Sequence, residues 1–122
     1  MSQKYIDALR GYAHAVLKRD GFKCRYCGLD GTVFRNWLHL SWDHLLPTTH
    51  PKRNDPDYIV AACRFCNEAC NRTIWPVEGK TPDELVEQKK PAVLARREEY
   101  HKFWQTEVMC NKNELQQDIG EP

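Results

Sequence analysis

Cys24-Arg25-Tyr26-Cys27 and Cys63-Arg64-Phe65-Cys66 are two C-x-x-C pairs. Each can put both thiolates on one side of a tight turn, and two such turns supply the four soft ligands of a closed, tetrahedral structural zinc site. Gly28 through Ala62 separate the pairs, which is more chain than the roughly 15–20 residues of compact zinc modules. Something is therefore inserted between the knuckles, and the insert carries Asp43-His44. A redox C-x-x-C is the main competitor, but it usually occurs once and near a βαβ pattern, which this sequence lacks. Four cysteine ligands leave no open coordination position, so this zinc would hold the fold, and hydrolysis needs another centre. Cys70 and Cys110 fall outside both pairs and read as buried or half-buried free thiols, with metal ligation a minority view for Cys70.

The other centre would be Asp43, His44 and Asn67, the last directly after the final knuckle cysteine. A hard divalent cation takes oxygen ligands, here the Asp43 carboxylate and the Asn67 side-chain carbonyl, and keeps places for water and a phosphate oxygen. His44, with an ordinary pKa of about 6.5, is neutral near pH 7 and can take the proton of an attacking water. Neighbours on a regular strand face opposite ways, so the chain is expected to bend at Asp43-His44, before Pro47. An isolated Asp-His pair is most often a surface or hydrogen-bonded pair; its setting gives this one weight. His14, His39, His50 and His101 read as ordinary hydrogen-bonders, His50 lying nearest the proposed site in sequence.

Asp43-His44-Leu45-Leu46-Pro47, a polar loop, and then Ile59-Val60-Ala61-Ala62-Cys63-Arg64-Phe65-Cys66-Asn67 together resemble the HNH endonuclease family, with its ββα-metal hairpin and helix. The opening Leu17-Lys18-Arg19-Asp20-Gly21-Phe22-Lys23-Cys24-Arg25-Tyr26-Cys27-Gly28 is similar to the leader of zinc-stapled members, and the likeness spans about positions 17 to 73. The resemblance implies that Asp43 and Asn67 hold a catalytic cation, magnesium or another divalent metal. It further implies that His44 is the general base and that the substrate is DNA. Three positions depart from the family pattern. The stretch that often carries an asparagine before the second cysteine pair is Asp57-Tyr58-Ile59-Val60, a common glycine pair is replaced by Pro51 to Pro56, and a frequent lysine is Cys70. Phosphate contacts are therefore assigned to Arg64 and Arg72. Asn71 is the next oxygen donor, four residues beyond Asn67 on a short helix. The runner-up is a non-catalytic, zinc-stabilised nucleic-acid-binding module, and a third reading is an interaction domain using an aromatic helix face from Val93 to Val108.

The elements that must position these residues follow from periodicity. Ile6, Leu9, Ala13, Val16 and Leu17 give an amphipathic helix from Lys4 to Lys18, stopped near Gly21. Phe22 to Gly28 is a knuckle in which Gly28 supplies positive φ, and Tyr26 and Phe65 are expected to pack together across the zinc. Trp37 to Leu46 reads as a strand, with Trp37 and Trp42 as core residues. Thr48 to Pro56 is an exposed loop, Tyr58 to Ala62 a short apolar run, and Asn67 to Thr73 a short helix. Thr81-Pro82-Asp83-Glu84 is a capped helix start. Pro91 is expected to restart a second helix, and the tail from Asn111 is polar and frayed.

The fold class is α+β: one small zinc-stabilised, treble-clef-like ββα-metal domain over 1–122, with its core at about 17–76, a helical extension at 81–110 and a polar tail at 111–122. At 122 residues one compact domain and one site are expected. The net charge of +1 does not mark a nucleic-acid binder. Local charge does more, because Lys18, Arg19, Lys23, Arg25, Lys52, Arg53, Arg64 and Arg72 precede the acidic stretches at Asp83-Glu84 and Glu114 to Glu121. With no long apolar run and no apolar leader, a soluble cytoplasmic protein without a membrane partner is expected. Cutting both strands from one site would require a homodimer or two visits.

Overall fold

A computed structural model describes residues 7–111. The expected first helical residues 4–6, and the tail beyond Asn111, lie outside the described residues. Asn111 itself is still helical.

The leading apolar stripe buries as expected, with Leu9, Ala13, Val16 and Leu17 all inside, but on two helical pieces instead of one. A turn at 7–10 is followed by a break at 11–13 and then α1 (His14–Arg19). Gly11 N and Ala13 N both bond to the Ala8 carbonyl at 3.1 Å, so one acceptor serves two donors and the regular ladder is lost. At the break Tyr12 sets its ring edge-on to Trp42, with centroids 5.6 Å apart. Gly21 (φ 68) and Phe22 (φ 58) then turn the chain out of α1, and Phe22 N closes the helix end on the Leu17 carbonyl at 2.8 Å. Asp20 ties this leader to the sheet by accepting Ala61 N at 2.8 Å, while Arg19 donates to the Pro56 and Ile59 carbonyls.

After the first knuckle, α2 (Phe34–Trp37) is one turn, and β1 (Leu40–His44) pairs antiparallel with β2 (Ile59–Cys63). The expected strand from Trp37 is thus shortened at its start. Trp37 N bonds to Val33 O and His39 N to Asn36 O, while the Asn36 side chain holds the Asp30 carbonyl. These local bonds outcompete a ladder for which no facing strand exists at those positions. The loop is largely exposed, as expected, and ends in a 3-10 turn at Pro56–Tyr58 capped by Asp55.

β2 runs straight into α3 (Arg64–Ala69), which starts three residues before the expected Asn67 because the Cys63 sulfur caps it, accepting Cys66 N. It ends at Cys70, so Asn67 and Asn71 do not share a helix. α4 (Pro82–Phe103) opens with the full Thr81/Glu84 capping box. The expectation of two helices divided at Pro91 is overturned, since α4 continues through it. A proline inside a helix costs about 3 kcal/mol, yet Leu85, Val86, Lys89 and Val93 are buried on both sides of it. Pro91 itself is exposed, so the face that packs is uninterrupted.

Two apolar clusters flank the small sheet. Leu9, Leu17, Leu40 and Ala61 pack with Phe22, Trp37 and Trp42 on the α1 side, bearing out the two tryptophans as partly buried packing residues. Leu45, Leu46, Val60, Ala62, Leu85, Val86 and Val93 pack on the α4 side, around the knuckle cysteines. Beside the first cluster, Gly31 lies so close to the Leu40 side chain and to the Phe22 carbonyl (2.5 Å from an ideal Cβ) that no side chain fits. Gly31→Ala is expected to lower stability by about 1–3 kcal/mol through overpacking, read as a fall in the denaturant midpoint at unchanged m-value. Among the described residues, no helix is long and apolar enough to cross a membrane. The architecture is a small α+β unit with a two-stranded sheet and four clustered cysteines.

Candidate functional site

The two knuckles meet. An isolated bridge between Lys23 and Asp30 closes the first, with Gly28 at φ 79, and Arg25 N docks it on β2 through the Ala61 carbonyl at 2.9 Å. The second knuckle is the junction of β2 and α3. The sulfurs of Cys24, Cys27, Cys63 and Cys66 lie within 4.8 Å of one another. Cys27 and Cys63 Sγ are 3.8 Å apart, the ~3.8 Å edge of a tetrahedron with metal–sulfur bonds of about 2.3 Å. Cys27 N and Cys66 N point at the sulfurs of Cys24 and Cys63. Hydrogen bonds among the four thiols split their pKa values. Bonds from Cys27, Cys63 and Cys66 draw Cys24 far below the usual thiol range, while Cys24 and Cys27 push Cys63 and Cys66 far above it. The quartet could hold a metal ion such as zinc.

From α4, Arg97 reaches the quartet, its Nη1 3.8 Å from Cys66 Sγ and 3.9 Å from Cys63 Sγ. Burial lowers the Arg97 pKa, but the charges of Cys27, Cys66 and Cys63 outweigh it and leave the guanidinium raised. Phe65 lies beneath Arg97 and edge-on to Tyr100. Tyr26, expected to pack with Phe65 across the zinc, belongs to the same apolar cluster and carries its hydroxyl to Asp43.

Tyr26 is buried and donates its hydroxyl to Asp43 Oδ2 at 2.6 Å. Burial, then the charge on Asp43, push the phenol well above its usual range, so it stays a neutral donor. Lys89 Nζ reaches the same oxygen at 2.8 Å and lies 5.8 Å from the centre of the Tyr26 ring. Asp43 is itself only 4% exposed. Its other oxygen faces Asn67. With the amide nitrogen toward it, Asn67 donates to Asp43 Oδ1 at 3.0 Å and to the Trp42 carbonyl at 3.2 Å. A half-turn of the amide puts its oxygen in the same place, and three oxygens then converge. A spacing of 3.0 Å is also the ~3.0 Å edge between adjacent ligands of an octahedral cation with bonds of about 2.1 Å. The donor set therefore suits a hard cation when the amide faces one way and is satisfied without it when the amide faces the other.

Asp43, His44 and Asn67 border one cleft of about 390 Å³, which runs along residues 43–48 and across to Asn71, Arg72, Thr73 and Trp75. The expected bend at Asp43-His44 is absent, since His44 still pairs with Ile59 and Leu45 N bonds to the Tyr58 carbonyl at 2.9 Å. Both residues reach the cleft because it follows the chain as it leaves the sheet. His44 is half-buried; burial and then the charge of Arg53 hold its pKa below the ordinary value, against the opposing pull of Asp43 and of the nearby Asn54 side chain.

The basic side chains divide. Arg72 lines the cleft together with Arg53, whereas Arg64 is not among the lining residues. Arg25 is engaged by Asp20 and Asp83 at 3.6 and 3.0 Å. Cys70 lines the cleft half-buried, and Cys110 is exposed, contrary to expectation. His50 accepts from Lys52 N, His14 packs on Phe22, and His101 stacks on Trp104.

Tyr26, Asn54 and Lys89 were not legible as site residues. Lys89 alone carried a signal, because it falls four residues after Leu85 and four before Val93, in the buried stripe of α4. No family model, curated protein or solved structure matches the chain, so the site rests on its own geometry.

Proposed function

We propose that the chain is a metal-dependent endonuclease of the HNH type that hydrolyses DNA phosphodiester bonds, built on a structural zinc held by Cys24, Cys27, Cys63 and Cys66. The observation that carries this reading is the convergence of Asp43, His44 and Asn67 on one cleft beside the cysteine quartet. Asp43 and the Asn67 carbonyl would hold a magnesium or similar divalent cation. Bound there, the cation would supply Lewis-acid stabilisation of the leaving oxygen.

This chain's own residues do the rest. His44 takes a proton from water at its imidazole, and Asn54, in the loop before β2, is the side chain beside it that would aim the ring. Arg53 and Arg72 meet phosphate oxygens. Arg53 Nε and Trp75 Nε1, in two lining residues, are buried with no hydrogen-bond partner among the described residues, at a cost of about 1–3 kcal/mol each unless a ligand or water supplies an oxygen.

The test is supercoiled plasmid incubated with purified, zinc-loaded protein, with and without added magnesium, manganese or nickel. Cutting that requires added metal and disappears in Asp43→Asn supports the reading; no cutting under any metal sinks it. Asn54→Ala is expected to slow cutting roughly ten- to a hundredfold by loosening a general base, with zinc content unchanged.

A second reading rests on Lys89. Because an ammonium already neutralises Asp43, the same cleft serves a non-catalytic nucleic-acid-binding module without any divalent cation. DNA retarded in a gel by a protein that never cuts it selects this alternative.

A further inference from the structure

The cleft's charges are unusual for a divalent-cation site. Its lining residues include one carboxylate, Asp43, and three cationic side chains, Arg53, Arg72 and Lys89. Magnesium is usually held through one or two carboxylates together with substrate phosphates, and this cleft offers the smaller number among more numerous cations. Here the single carboxylate is also spoken for. Lys89 Nζ lies 2.8 Å from Oδ2, and its side chain is 10% exposed against 5% for Asp43. Tyr26 donates to that same oxygen at 2.6 Å, so only Oδ1, on the Asn67 side, remains for a cation.

We infer that Lys89 is a resident counter-cation of Asp43 that competes with the divalent metal, so that the cleft takes its metal tightly only together with a polyanion. The inference deepens the nuclease reading and rests on it. An ammonium and a divalent cation on the two oxygens of one buried carboxylate repel each other across a few ångströms, where solvent screens poorly. Metal entry therefore either displaces Lys89 or bears that repulsion. A phosphodiester brings its own negative charge to Arg53, Arg72 and the displaced Lys89, and so offsets what the metal adds. Lys89 is thus a positioning residue: in the metal-free protein it holds the carboxylate in place with Tyr26, and it makes loading depend on substrate.

The readout is metal affinity without DNA. Free Mn²⁺ is titrated by electron paramagnetic resonance against the zinc-loaded full chain as wild type, Asp43→Asn, Lys89→Gln, Lys89→Met and the double variant Lys89→Gln with Asp43→Asn. Zinc content and near-UV circular dichroism report folding. Gln keeps a hydrogen-bond donor at Asp43, so it serves if the Met variant fails to fold. Both single variants are expected to bind Mn²⁺ more tightly than wild type by a factor on the order of ten or more, and the double variant to lose that gain. A structural role alone would not raise affinity. Equal or weaker binding in Lys89→Gln overturns the inference; if wild type then still binds through Asp43, the nuclease reading stands without it. If no form binds Mn²⁺ in a manner that depends on Asp43, the nuclease reading falls as well.

Discussion

Cys66→Ser is expected to leave the chain without a cooperative fold at ambient temperature. Cys66 is fully buried and sits in the apolar cluster where β2, α3 and α4 meet. Zinc binding to four thiolates contributes about 10–16 kcal/mol to folding in small zinc domains, whereas a domain of this size has a net stability of about 5–15 kcal/mol. Losing one ligand removes much of the first quantity, and serine, with a hard, protonated oxygen, does not restore it. The loss spreads, because Arg97 of α4 is held by the sulfurs of Cys66 and Cys63, and losing the nearer of the two weakens the pairing of a partly buried guanidinium. Far-UV circular dichroism together with zinc content by native mass spectrometry checks this. A variant that melts cooperatively near the wild-type temperature would show that the quartet does not carry the fold.

The cysteine quartet was legible because its information is local: a C-x-x-C turn fixes two ligands within four residues, and only the meeting of two such turns depends on the fold. The capping box at Thr81 was legible for the same reason. The partners of Asp43 were not. Tyr26 and Lys89 come from a knuckle and a distant helix: Tyr26 looks ordinary as an aromatic between cysteines, and the one signal at Lys89, its spacing from Leu85 and Val93, is masked by a neighbouring lysine and the proline that follows. Pro91 misled in a related way. It argued for a helix boundary, and a boundary would have separated Lys89 from Val93 and Arg97, the stripe by which α4 reaches both the carboxylate and the sulfurs. Tertiary burial on the stripe outweighed the local cost of the proline. Asn54 lay in a stretch of turn residues, Arg-Asn-Asp-Pro, where asparagine is common for reasons of loop geometry alone. Nothing short of the fold distinguishes an asparagine that caps a turn from one that lies beside an imidazole.

His44→Ala is expected to reduce DNA cleavage by about 10²–10⁴-fold, the usual contribution of a positioned general base, while zinc content and melting temperature stay close to wild type. The side chain is half-buried at the cleft edge, outside both core clusters, so its removal opens the cleft without undermining the sheet. The pH profile carries a sharper expectation. Burial and then Arg53 disfavour the imidazolium, and together they outweigh Asp43 and Asn54, which favour it; the pKa is therefore lowered. A general base acts in its neutral form, so lowering its pKa extends activity toward acid, and the acid limb should fall below the ~6.5 of an ordinary imidazole. Arg53→Gln removes a positive charge that helps keep the ring neutral, and so should move the acid limb upward, even as it weakens phosphate contact. Single-turnover cleavage of a short duplex across pH separates these effects, since the limb reports the base and the plateau reports the chemistry. If His44→Ala cuts within about threefold of wild type, or if the acid limb survives unchanged in it, the proton is taken elsewhere, and the cleft's histidine serves to hold Asn54 and its loop in place.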